Sequence, residues 1–395
     1  MNIAETITFI LQAANTDQWQ ALDMCNNALQ SFTNIQERAP LLILRLTYTE
    51  YCAHLRRKEP PYVTAELLEP QFIEAQVEFM NLRRELREIP WMCEMQAQLA
   101  HALGNYELHD SLLDAGAADG SLSADLRLTL PRFGEPDTSR MGEWLGRLPV
   151  VQWAKRLPSD ARSIVFFTCG PEYFLKFGEG LLASLAKNAP DCVHVHVQDH
   201  PAPAAIGETV AQKFGDRCGV SFEEPGLLGD TARFYYAGNR LVRLHQFGLP
   251  APTLFLDTDT LACQPLQPIF DRLSYHDVLL CRMRGRWAVH SQINATVNAW
   301  NNTPAARTYL ERVAGLIGTA CVSGLWPWGI DQIALWVTFV ASRRGIPGLM
   351  AAALGPSVYD GGAGGIILPQ KVSEASPLWE SWRTRVLAAM SRADP

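Results

Sequence analysis

Two aspartates one residue apart, Asp257 and Asp259, follow directly on the apolar run Thr253-Leu254-Phe255-Leu256. Alternate residues of an extended chain share a face, so both carboxylates are expected to point the same way. Side by side they repel, and a divalent cation relieves that repulsion. Hard oxygen ligands suit Mn²⁺ or Mg²⁺, and such a cation can hold a diphosphate. An Asp-x-Asp pair is short and common, and standing alone it is usually a solvated loop. The strand ahead of it favours the site, because ligands of open α/β sheets sit beyond the carboxyl ends of strands.

The elements that must position this pair begin near Arg162. Ile164-Val165-Phe166-Phe167 is a continuous apolar run, which predicts a buried strand. Phe174 to Lys187 carries Phe174, Phe177, Leu181, Leu182 and Leu185 at helical spacing, and Pro190 ends it. Val193-His194-Val195-His196-Val197 alternates strictly and predicts a strand. Its two histidines share a face, but with no third ligand nearby a half-exposed face is the expectation rather than a metal site. Val220-Ser221-Phe222 is a short strand candidate. Tyr235 to Phe247 reads as a helix bearing Asn239, Arg240, Arg243 and His245. Val278 to Cys281 is another strand, leading into Arg282, Arg284 and Arg286. Those arginines either blunt a sheet edge or hold an acidic group. Alternating strands and helices imply an α/β fold, a mostly parallel sheet covered on both faces.

Residues 1–115 read as helical. Phe72, Ala75, Phe79, Leu82 and Leu86 form one apolar stripe within Leu67–Glu88, between Pro60-Pro61 and Pro90. Asp17-Gln18-Trp19 opens another helix, and Leu103-Gly104-Asn105-Tyr106 lies inside a further helical pair. These pieces resemble the helical hairpins of tetratricopeptide repeats, without the period of about 34 residues. They offer either a surface for a protein partner or self-association, or a bundle that only packs on the rest. Residues 116–160, punctuated by Pro131, Pro136, Pro149 and Pro158, read as a connector with a short helix near Met141–Leu148. Residues 161–395 then form the α/β domain.

The 395 residues are 48% hydrophobic and 19% charged, the profile of a folded chain with a sizeable core. A formal net charge of −7 gives no general attraction to nucleic acid. No apolar run reaches the roughly 18 residues of a transmembrane helix. Met1-Asn2-Ile3-Ala4-Glu5 shows no signal-peptide pattern, and the nine cysteines include no Cys-x-x-Cys pair. Reduced thiols and a cytoplasmic location are the expectation.

Five segments in order now carry a resemblance. They are Phe166-Phe167-Thr168 with Glu172-Tyr173, the helix around Asn239-Arg240, Leu254-Phe255-Leu256-Asp257-Thr258-Asp259, Asn294-Ala295-Thr296, and Gly329-Ile330-Asp331-Gln332. Together, over about 163–340, they resemble a nucleotide-sugar glycosyltransferase of the GT-A fold. The order is most similar to family eight, the glycogenin and lipopolysaccharide-galactosyltransferase type. The resemblance implies a hexosyltransferase acting with retention, with a UDP-sugar donor and Mn²⁺ or Mg²⁺. It implies that Asp257 and Asp259 bind the metal, Asp257 also lying near the donor ribose. Arg240 would meet the diphosphate or donor sugar, and Thr168, Cys169 and Gly170 would lie along the nucleotide. Asn294, Asp331 and Gln332 would face the reacting sugar, before a glycan, protein or small-molecule acceptor. For Arg240 a helix-surface ion pair, and for Asp331 a helix cap, account for the residues as well.

The chain departs from the family in one respect. Its last histidine is His290, so the family's metal-binding histidine near the C-terminus is absent. Asp360, the glycine run 361–365 and Lys371 stand in that region. Asp360 could supply a metal oxygen and Lys371 a charge for phosphate, or the glycines simply form a loop. The departure keeps two rivals open: a non-catalytic relative working through its helical part, and an Asp-x-Asp phosphatase. The latter expects Thr or Val where Leu261 stands.

Overall fold

The computed structural model describes residues 2–14, 16–34, 37–38, 40–42, 44–45, 48, 97, 100–101, 105–118, 132–133, 137–189, 191–198, 204–223, 232–282, 292–324, 329–354, 358–359 and 365–370. The chain divides into two compact units, 1–134 with 283–292, and 135–282 with 293–395.

In the first unit, helices α1 (Ile3–Ala14) and α2 (Gln18–Ser31) pack against each other. Asp17 caps α2 by accepting from the backbone N–H of Trp19 and Gln20, as a helix-opening aspartate should. Ile10, Ala21, Leu22, Cys25 and Leu29 close a small apolar core. A third helix, α3, spans Tyr106–Ala118. The expected Leu67–Glu88 helix lies outside the described residues.

The second unit is built on an eight-stranded sheet. Its strands are β1 (Val151–Lys155), β2 (Ile164–Cys169), β3 (Cys192–Val197), β4 (Cys218–Glu223), β5 (Thr253–Leu256), β7 (Val278–Arg282), β8 (Ile293–Trp300) and β9 (Ala351–Ala353). They lie in the order β1-β4-β3-β2-β5-β8-β7-β9. The stretch β4-β3-β2-β5 is parallel, whereas β1 and β8 pair antiparallel with their neighbours. The sheet is therefore mixed, with a parallel centre. Val151–Lys155, within the stretch read as a connector, supplies an edge strand. A second, two-stranded ribbon joins β6 (Thr260–Ala262) to β10 (Ile367–Pro369).

Alternation sorts the two faces of the central strands. Val165, Phe167, Val193, Val195, Leu254 and Leu256 enter one apolar core, which also takes Leu181, Leu182 and Leu185 of α5 (Glu179–Asn188). Helix α6 (Ala204–Phe214) and helix α8 (Gln267–Leu273) add Ile206, Val210, Ile269 and Phe270 to it. Helix α7 (Ala232–Phe247) packs across the other face, on β2. Helix α9 (Pro304–Val322) packs against α4 (Met141–Arg147), α7 and α10 (Ile330–Gly345), and α10 also touches α7.

The face under α7 corrects one expectation. His194 and His196 are not half-exposed; they are 2% and 0% exposed. Phe247 lies over both imidazoles, at 4.7 and 5.2 Å between ring centres, and Trp153 stacks on His194 at 5.0 Å. The Ser221 hydroxyl lies 2.8 Å from His194 Nε2 and 3.0 Å from His196 Nδ1. Glu223 stands 3.7 Å from His196 Nε2 and is ion-paired with Arg243. Polar alternation thus marks a second buried layer, because one helix carries polar groups that answer those of the strands.

Burial pushes both imidazoles below their ordinary pKa, and each cation would repel the other or Arg243. A histidine with a lowered folded pKa stays neutral in the fold while the unfolded chain takes up a proton. Stability is then full above pH 6.5 and declines as pH falls through it. Urea unfolding is expected to be flat from pH 8 to about pH 6.5 and then to lose at most roughly 1.4 kcal/mol per pH unit for each such histidine as pH falls to about 5. His194→Phe should make the decline shallower; an unchanged slope would contradict this.

Candidate functional site

Strand β5 stops at Leu256, and Asp257-Thr258-Asp259 forms a tight turn into β6. The turn is closed by Thr260, whose amide and hydroxyl both donate to the Asp257 carbonyl, at 3.2 and 2.6 Å. The backbone is therefore not extended across the pair, and the two carboxylates take different partners. Asp257 Oδ2 accepts from the Thr296 hydroxyl at 2.9 Å, while Oδ1 is ion-paired with Arg240. Asp259 Oδ2 accepts from the Tyr173 hydroxyl at 2.6 Å.

Arg240 is the hub. It projects from α7, near the apolar ring of Phe255 (5.2 Å), and its guanidinium also pairs with Asp331. The Nε–H donates to Asp331 Oδ2 at 3.1 Å. Its remaining N–H groups have no partner among the described residues, so a further anion could be received there. Asp331 is 2% exposed and sits in the first turn of α10, where the helix dipole favours a carboxylate. It is not the cap. Gly329 holds that position with φ +81°, a left-handed conformation that favours glycine. Asp331 Oδ1 accepts from the Gln332 amide at 2.8 Å.

Strand β8 supplies the other wall. Asn294 Oδ1 accepts from the Thr296 amide at 2.9 Å, which fixes the hydroxyl aimed at Asp257. Asn298 donates to the Asn294 carbonyl at 3.0 Å and accepts from the Cys281 amide at 3.0 Å, filling the irregularity between β7 and β8. The Tyr359 hydroxyl lies close enough to Thr296, Asn294 and Asp259 for each to influence its acidity. Burial, with Cys281 and Asp259 adding to it, raises this phenol to about 12, so it remains a proton donor at neutral pH. The Tyr173 phenol is raised as well, by burial and then by its bond to Asp259.

Asp257, Asp259, Arg240, Asn294 and Asp331 thus gather beyond the carboxyl ends of β2 and β5, and Gln332 joins them through its backbone amide on Asp331. The loop 168–170 fits only in part. The Cys169 side chain belongs to the apolar core, and burial lifts its thiol to about 12, so it cannot face a nucleotide. Thr168 Oγ1 is buried without a partner among the described residues. Gly170 lies against Tyr236, where a Cβ would come within 2.7 Å of the ring. Asp360 and Lys371 lie outside the described residues. Tyr173, Thr296 and Tyr359 were not singled out as site residues from the sequence. Thr296 stood in the quoted Asn-Ala-Thr segment, and Tyr359 immediately before Asp360; no spacing rule links either to Asp257.

The donor set fits a hard cation. Mg²⁺-type ions commonly take one or two carboxylates and complete their shell with phosphate and water, and Asp257 and Asp259 leave one turn. Among the described residues, no group of three or more acidic, histidine or cysteine side chains gathers for a metal.

No protein-family model and no curated protein sequence matches the chain. Parts of solved glycosyltransferase structures do. GlyE of Streptococcus pneumoniae TIGR4 is 15% identical over 59% of this chain and 64% of GlyE, just under two thirds of its length, with a TM-score of 0.36. Mouse xyloside xylosyltransferase 1 is 13% identical over 49% of this chain and 84% of its own, TM-score 0.33. An active-site mutant of LgtC is 14% identical over 48% and 72%, TM-score 0.33. No helix among the described residues is long and apolar enough to cross a membrane.

Proposed function

We propose that the chain is a glycosyltransferase that moves a sugar, a hexose with retention, from a nucleotide-sugar donor to an acceptor hydroxyl. A UDP-sugar is the first donor to test, and a glycan, protein or small molecule the acceptor. One observation carries the reading. A single guanidinium, Arg240, joins the carboxylate at the end of β5 to a buried carboxylate opening α10, with Asn294 and Thr296 alongside. Segments that resemble a transferase's donor site in sequence order thereby converge in space.

In the transfer, the bond between the anomeric carbon and the diphosphate oxygen breaks, and its electrons stay on that oxygen. The acceptor oxygen bonds to the anomeric carbon and passes its proton to the departing diphosphate oxygen. Charge grows on the leaving diphosphate, and fixed donors aimed at it supply most of the acceleration. Arg240 and the protonated Tyr359 are the donors suited to that task; Lys371 is a further candidate cation. Asp331, Gln332 and Asn294 orient the sugar hydroxyls. The main chain at 168–170 lies along the nucleotide, with the close packing at Gly170 setting its path. Asp257 and Asp259, with Asp360 a further candidate, would hold Mn²⁺ or Mg²⁺, which neutralises diphosphate charge when bound.

A panel of UDP- and GDP-sugars incubated with Mn²⁺ should release nucleoside diphosphate from at least one donor. Asp331→Asn should lower that release on the order of 100-fold. Release of phosphate from a phosphate monoester, abolished by Asp257→Asn, would instead support the phosphatase reading. A second reading, a relative that binds without catalysis and acts through residues 1–115, is favoured by Arg240 and Tyr173 already satisfying Asp257 and Asp259. Nucleotide binding without any turnover would support it.

A further inference from the structure

The far end of the described chain returns to the Asp257–Asp259 turn. Ile367, Leu368 and Pro369 pair with Ala262, Leu261 and Thr260, which brings Gln370 beside Asp259. The Gln370 amide N–H donates to the Asp259 carbonyl at 2.6 Å. Its side-chain Nε2 faces three more carbonyls, of Phe177, Thr258 and Thr260, at 3.0, 3.2 and 3.0 Å. The opposite end of the amide has a seat of its own: a Cβ on Gly180 would come within 2.9 Å of Oε1.

Three carbonyls around one atom determine the orientation of the amide, since turning it over would set Oε1 against all three. Part-buried carbonyls need donors, and the Gln370 nitrogen lies within reach of all three. A neutral amide shares its two N–H groups among them without placing a cation beside Asp257 and Asp259. One of the carbonyls, Phe177, belongs to the π-helical turn Phe174–Gly178, which follows directly on Tyr173. The same side chain therefore fixes two things at once: the turn that aims both carboxylates, and the segment whose tyrosine donates to Asp259.

We propose that Gln370 is a positioning residue of the site, clamping the Asp257–Asp259 turn to the π turn behind Tyr173. The proposal rests on the transferase reading above and names a residue no motif in that reading contains. In ordinary terms, half of the cation-and-phosphate end of the site is held in place from a strand more than a hundred residues downstream.

Two variants test it on the full chain. Gln370→Met keeps the shape and removes the donors; Gln370→Glu puts carboxylate oxygens against the three carbonyls. Hydrogen exchange is read in peptides covering 171–178 and 257–262, with β2 peptides as the internal control. Titration of UDP with Mn²⁺ is read in parallel, and thermal unfolding confirms that each variant folds. Exchange is expected to rise in both peptides and not in β2, and UDP affinity to fall by roughly tenfold. Unchanged exchange, or raised exchange with wild-type affinity, overturns the positioning role while leaving the transferase reading in place. Should Gln370→Met fail to fold, Gly180→Ala, which presses on Oε1, is expected to give the same paired signature, and its absence overturns the role. A wild-type chain that binds no nucleotide overturns the transferase reading, and this role with it.

Discussion

Replacing Arg240 by alanine is expected to abolish activity and to destabilise the fold together. The guanidinium is the shared partner of Asp257 and Asp331. Its side chain is 13% exposed, and those of the carboxylates are 20% and 2%. Removing it leaves two acids facing each other across a space that water reaches poorly. Breaking a buried ion pair by deleting one partner costs about 3–5 kcal/mol, and the partial exposure of Asp257 should bring this to about 2–4 kcal/mol. Under the proposed transferase function, catalysis would lose a donor for the leaving group, on the order of 100-fold or more. Arg240→Lys should recover much of the stability and little of the rate, since one ammonium cannot span both carboxylates as a planar fork does. Urea unfolding and initial rates measured on the same preparations separate the two effects. Equal recovery of both by lysine would assign Arg240 a charge role only.

The second large effect is expected at Arg243, one turn further along α7 and outside the site. Arg243 and Glu223 are each 1% exposed and ion-paired, and Arg243 also donates to the Pro149 carbonyl at 2.9 Å. Arg243→Met should cost about 3–5 kcal/mol in urea unfolding at pH 8, because Glu223 is left charged in the interior. The deficit should shrink towards pH 5.5. Without the arginine's repulsion, the pKa of His196 rises, and its cation can take the place beside Glu223. Adding Glu223→Leu to Arg243→Met should restore most of the loss, since replacing both partners is nearly neutral. A deficit that is the same at both pH values would remove His196 from this account.

How far the sequence carries to this site depends on whether a contact is local. Apolar runs at 164–167, 254–256 and 278–281 were visible as strands because they are continuous, and the helix bearing Arg240 because its spacing is helical. The convergence of Asp257, Asp331 and Asn294 was legible only through the order of short segments. The pairing of both carboxylates with one arginine was not, since it depends on how α7 lies on the sheet. The histidines of β3 were misjudged for the same reason: alternation says which residues share a face, not what covers it. Asp257 and Asp259 were expected on one extended face, but the hydroxyl of Thr260 turns the chain between them. Gln370 carried no signal at all, because its three acceptors are backbone carbonyls and leave no trace in side-chain types.

The most direct measurement is a calorimetric titration of UDP and GDP, each with and without Mn²⁺, on the wild-type chain and on Asp259→Ala. The account predicts that UDP binds, that binding needs the cation, and that Asp259→Ala loses it. Binding of neither nucleotide under any of these conditions would contradict the nucleotide-sugar site. Binding that ignores both Mn²⁺ and Asp259 would contradict the role given to the Asp-Thr-Asp turn.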